Sequence, residues 1–174
     1  ALYVDGFLAT EEGKTDEALA RVGRILAEHP SSPFVPDAHM VRAEAEFGAA
    51  APNYAFAYQE YEAVLALPDS GLHDLALFKS AWALWRLGQT DEAARRFLSV
   101  FRTGAERAHR PGFAAGRDQL DQLQAQALKN LVAVFVEDEN NSADDMHGFL
   151  VKAGGERFAA EIVRALGEAL YDQA

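Results

Sequence analysis

Two distant stretches follow one cadence: TEEGKTDEALARV at residues 10–22 and WRLGQTDEAARRF at residues 85–97. A pattern that recurs at a regular period marks an architecture in which no single unit buries its own apolar face, so units must stack. The spacing around these stretches carries the same message. Gly6, Ala45 and Ala81 are each followed, twelve residues later, by another small residue: Ala18, Ala57 and Ala93. From each of those alanines, apolar residues follow at +4 and +7: Val22 and Ile25, Tyr61 and Val64, Phe97 and Val100. Those offsets lie on one face of a helix. Around the first pivots, residues at −4 and +3 are apolar or small: Leu2 and Ala9, Val41 and Gly48, Leu77 and Leu84. Small residues at both pivots let two antiparallel helices approach closely, with larger residues one turn away filling the groove between them.

Composition agrees with helices throughout. Ala, Leu, Glu, Gln and Arg abound, whereas isoleucine occurs only at Ile25 and Ile162, so intrinsic propensity favours helix over strand. The prolines Pro30, Pro33, Pro36, Pro52, Pro68 and Pro111 fall between apolar-periodic segments, where a missing N–H does least harm. The spacing predicts helices over about residues 1–12, 16–28, 37–49, 54–66, 73–87, 91–103, 117–137, 142–153 and 156–173. RTGAERAHRPGFAAGR, residues 102–117, reads as a loop or irregular insertion.

The turn glycines Gly13 and Gly88, the alanines Ala18, Ala57 and Ala93, the aromatics Tyr61 and Phe97, and Pro30 together resemble the tetratricopeptide repeat, a helix–turn–helix unit. The resemblance implies an all-α fold, a right-handed α-solenoid of antiparallel helix pairs. It departs from the family pattern at Pro52, which stands for a turn glycine, and at Asp5, Glu44 and Ser80, which stand for the leucine before the small pivot. Residues 1–107 are expected to form three units. Residues 108–154 follow as an insertion and a degenerate pair built on Leu128, Val132 and Phe135. Residues 155–174 follow as a terminal unpaired or capping helix with Val163, Gly167 and Leu170 inward. All belong to one continuous solenoid. A first residue other than Met and a last helix without its partner suggest a piece of a longer protein. The linkers HPSSPFVPDA and LPDSGLHDLA are similar to those of bacterial cell-envelope tetratricopeptide proteins, which implies a periplasmic or outer-membrane-associated location, with the cytoplasm as the alternative.

Several classes of function fall away. A net charge of −11 from 16 basic and 27 acidic residues opposes phosphate-backbone binding, so no nucleic-acid partner is expected. No stretch approaches the ~18 apolar residues that cross a bilayer, so no membrane insertion is expected. With no cysteine there is no thiolate nucleophile or metal ligand. His29, His39, His73, His109 and His147 are never paired at i, i+4 around a glutamate. DENNSADDMHGF, residues 138–149, opens like a calcium loop but has Ala143 for the mid-loop glycine and Phe149 for the closing glutamate, so it reads as a polar turn capping the next helix. Gly154 and Gly155 read as a left-handed helix end. No nucleophile elbow, phosphate loop or dinucleotide fingerprint is present. The chain is expected to be non-enzymatic, with no cofactor and no metal.

In tetratricopeptide arrays, the face next to the core stripe of the first helices lines a concave groove. Carried onto this sequence, that face holds Tyr3 and Phe7; Arg42 and Glu46; Phe78, Trp82 and Trp85; Lys129; and Arg164. Aromatics and arginines dominate binding energy when they sit in pockets. The expected function is a protein-interaction scaffold that grips a partner peptide or protein, the cations favouring carboxylates. The alternatives are a self-association module working through the last helix, an accessory domain of an enzyme, and an ordinary core position for the Phe78, Trp82 and Trp85 cluster.

Overall fold

A computed structural model describes residues 14–67, 70–108, 117–138 and 141–173 of the chain. Among them are eight α-helices, one 3-10 turn and no strand, so the fold is all-α. The helices are α1 (Thr15–Glu28), α2 (Val35–Phe47), α3 (Tyr54–Leu65), α4 (His73–Arg86), α5 (Thr90–Ala108), α6 (Arg117–Val136), α7 (Ala143–Ala153) and α8 (Ala159–Gln173). The 3-10 turn, Glu156–Phe158, precedes α8. The helix expected at 1–12 lies outside the described residues. The loop expected from residue 102 does not begin there, because α5 continues to Ala108. A single Gly104 among Arg, Ala and Glu costs a helix only ~1 kcal/mol and does not end it. The chain falls into two compact units that part between Leu87 and Gly88.

In the first unit, helices pack in chain order: α1 on α2, α2 on α3, α3 on α4. Ala18, Val22 and Ile25 on α1 and Ala57, Tyr61 and Val64 on α3 are all buried, as the +4 and +7 spacing predicts. Full burial of each larger side chain contributes about 1.5–3 kcal/mol. The first-helix pattern fares differently on α2, where Ala45 is half-buried and Gly48 exposed, while Val35, Ala38, Met40 and Ala43 go inside. The cause is double packing. Val35 and Ala38 join Val22 and Ile25 in one cluster, and Met40 and Ala43 join Ala57, Tyr61 and Val64 in another. A helix buried on two sides shows no single stripe.

The links into α2 and α4 match bond for bond. Ser32 N–H donates to His29 O and Val35 N–H to Ser32 O; likewise Ser70 N–H donates to Leu67 O and His73 N–H to Ser70 O. Each serine hydroxyl also accepts from the N–H two residues on, Phe34 at 3.3 Å and Leu72 at 3.1 Å. Such serine turns satisfy backbone groups just before a helix and set its entry angle.

In the second unit, α5 packs on α6, and α8 packs on both α6 and α7. Ala93, Phe97 and Val100 are buried, completing the nine second-helix positions expected inside. Ser142 caps α7 with a reciprocal capping box to Asp145, and Gly154 ends it in the left-handed region at φ 73°, both as the sequence predicts. The last helix packs on α6 and α7, but not with its expected face: Ile162 and Leu166 are buried, whereas Gly167 and Leu170 are exposed. Ile and Leu bury more apolar area than a glycine-centred stripe offers, and that difference orients the helix.

Candidate partner-binding sites

The second unit carries an open apolar groove of about 340 Å³ between α6 and α8. Its α6 wall is Ala125, Leu128, Lys129, Val132, Ala133 and Val136, and its α8 wall is Ala165 and Ala169. The α6 residues recur at +3 or +4, so they form one face about three turns long, ~16 Å at 1.5 Å per residue. Lys129 lies on the face singled out from the sequence, whereas Leu128 and Val132, expected to point into the core, also line the groove. Arg164 does not line the groove; it is exposed on α8, 3.9 Å from Glu168. Beside the α8 wall, Glu161, Glu168 and Asp172 are exposed and follow at helical spacing, forming an acidic lip. The sequence reading missed this lip because it placed the inward face of α8 one residue out of phase.

In the first unit, Phe78 is 7 % exposed, so its ring is mostly inside the fold and offers a ligand little area. Trp82 and Trp85 are half-buried, their ring centroids 4.9 Å apart at a tilt of 33°. The Arg86 guanidinium lies 5.8 Å from the Trp82 ring, a contact worth about 0.5–1 kcal/mol where exposed. Glu46 is half-buried, and its backbone carbonyl accepts from Asn53 N–H at 3.1 Å. Arg42 is already engaged: it lies 3.3 Å from Glu60 Oε1 and 5.1 Å over the Phe56 ring. Tyr3 and Phe7 lie outside the described residues.

Two polar clusters join these helices. Glu60 is buried, and its Oε2 lies 2.8 Å from His39 Nδ1. A carboxylate only accepts, so the imidazole donates through Nδ1. A buried carboxylate is costly unless paired and hydrogen-bonded, and Arg42 with His39 meets that need. On the other side of α3, the Tyr61 hydroxyl donates to Glu44 Oε1 at 2.6 Å, and Lys79 Nζ lies 2.7 Å from Glu44 Oε2. That cluster ties α2, α3 and α4 together. Burial first, then the Glu44 hydrogen bond and charge, push the Tyr61 phenol far above its usual range. The signal for this was visible as Glu44 standing where the family pattern has leucine.

Among the described residues no group of His, Asp and Glu side chains gathers for a metal ion, and no helix is long and apolar enough to cross a membrane. Every buried side-chain polar atom of those residues has a partner. Comparison with protein-family models, curated proteins and solved structures finds no match to this chain.

Proposed function

We propose that this chain is a tetratricopeptide-like α-solenoid that acts as a non-enzymatic scaffold, binding a partner protein or peptide in a groove. Nine second-helix residues are buried in the predicted register, and matching links lead into α2 and α4; both features support repeated units. The observation that carries the functional reading is the α6/α8 groove, a half-exposed apolar channel that includes Lys129 of the expected face. Apolar grooves with few polar groups are where helical peptides dock. Trp82 and Trp85 are the corresponding candidates in the first unit. A bacterial envelope-associated assembly is part of this reading, supported by the likeness of the linkers HPSSPFVPDA and LPDSGLHDLA to those of envelope tetratricopeptide proteins.

The test is affinity capture from the native host by the full chain, followed by binding of the purified partner to Ala133→Trp and Trp82→Ala variants with retained circular dichroism. Loss of partner in either variant supports the reading; unchanged affinity in both refutes it. Self-association is favoured by one observation, the exposure of Leu170 and of Tyr171, which is 83 % exposed, near the end of α8. Light scattering across concentration separates the two, since a concentration-dependent mass abolished by Tyr171→Ser supports the second reading.

A further inference from the structure

We propose that the α6/α8 groove seats an amphipathic helix of a partner protein whose basic flank faces the acidic lip of α8. This inference rests on the groove reading above and adds the chemistry of the occupant. The groove is straight and ~16 Å long because one face of α6 forms its wall. Its alanines leave room for leucine-sized side chains from the occupant, and its open side suits a helix laid along two others better than an acyl chain, which needs enclosure.

Charge decides which helix. On the 100° helical wheel, Ala165 and Ala169 of α8 are flanked on one side by the buried Ile162 and Leu166. On the other side stand Glu161, Glu168 and Asp172, all exposed. Arg164 reaches Glu168 only at 3.9 Å, both side chains largely exposed, so it offsets little of that charge. The opposite lip carries Lys129, which has no ion-pair partner among the described residues. Asp121, also exposed, stands one turn before Ala125 at the end of the α6 wall, so the acidic charge is concentrated on the α8 lip, and the chain's net charge of −11 adds long-range attraction for a basic partner. An occupant with lysines or arginines on one flank and none on the other fits in a single orientation. This reverses the preference for carboxylates that a row of groove cations suggests.

Three labelled peptides of about 15 residues, long enough for the groove, test this against the full chain by fluorescence anisotropy. They share one leucine face and differ in one flank, carrying lysine, glutamine or glutamate. The lysine peptide is expected to bind about tenfold more tightly than the glutamate peptide, the equivalent of two modest ion pairs, and to weaken with added salt. A Glu161→Gln, Glu168→Gln double variant should bring the three together, and Ala133→Trp should abolish binding of all three. Equal affinities, or a glutamate preference, overturn the assignment of the occupant while leaving the groove standing, provided Ala133→Trp still blocks binding. No saturable binding by any peptide also overturns it. So does a dimer that Ala133→Trp dissociates, since a second copy is then the occupant. Failure of the groove reading itself is distinct: the captured native partner then binds Ala133→Trp as it binds the parent chain.

Discussion

Replacing Tyr61 by Phe removes one oxygen and isolates the hydrogen bond that links α3 to α2. Tyr61 is fully buried, so its ring packing is retained and no cavity larger than a hydroxyl is left. A hydrogen bond to a charged acceptor is worth about 1.5–3 kcal/mol. Glu44, however, is 43 % exposed at its side chain and keeps Lys79 at 2.7 Å, so it recovers solvation when the phenol is gone. The expected loss is therefore near the lower end, about 1–2 kcal/mol, or ~2–8 °C in Tm for a chain of this size. Lys79→Met, acting on the same carboxylate from a position screened by water, should cost no more than about 0.5 kcal/mol. Urea unfolding followed by circular dichroism measures both, and a cycle with Glu44→Gln isolates the Tyr61–Glu44 coupling. If Tyr61→Phe unfolds within ~0.3 kcal/mol of the parent, or if Lys79→Met is the costlier change, the bond is not the tie that joins these helices.

Three further outcomes follow from the geometry. Burial and Glu44 raise the folded-state pKa of Tyr61 above the unfolded value of about 10, so the stability it contributes is complete below that pH and lost as pH rises beyond it; the urea midpoint should fall above pH ~10, less steeply in Tyr61→Phe. Ser142→Ala removes the capping box of α7, and about 1 kcal/mol of helix stability with it, seen as faster amide exchange confined to the first turn of that helix. Phe78→Ala, at a buried ring, should cost ~3–5 kcal/mol, whereas Trp82→Ala at a half-buried one should cost clearly less; equal losses in thermal melts would make Trp82 a core residue and remove it from the binding surface.

Legibility in the sequence followed the number of faces a helix buries. α1 and α3 present Ala18, Val22, Ile25 and Ala57, Tyr61, Val64 as single stripes, and all six are buried as spaced. α2 shares itself between two clusters, so its inward residues split between Val35 with Ala38 and Met40 with Ala43, and the Ala45-centred reading fails. On α8 the small pivot Gly167 misled, because a glycine marks close approach only where a neighbour arrives, and none lies within 4 Å of where its Cβ would be. The groove was legible on its α6 side only in part: Lys129 lines it as expected, but Leu128 and Val132, expected to be core, line it too. Its acidic lip was not, since three acids on a chain of this charge carry no signal until the rotation of the helix is known.

That dependence on rotation gives the polar clusters of the first unit their importance. The seam between α2 and α3 runs through Ala43, Ala57 and Val64, whose small side chains set how closely the helices approach, with Met40 and the Tyr61 ring in the same cluster. By helical spacing, His39 and Arg42 fall on one flank of Ala43 and Glu44 on the other; across the seam Glu60 and Tyr61 flank Ala57 and Val64 in the same way. The contacts His39–Glu60, Arg42–Glu60 and Tyr61–Glu44 thus hold both edges of an alanine seam. Rotating α2 by one residue, ~100°, would pull all three apart and leave Glu60 buried without a partner, a penalty of several kcal/mol. The half-exposed tryptophans of α4 thus sit on a unit whose α2–α3 register is held by these polar contacts as well as by its apolar residues.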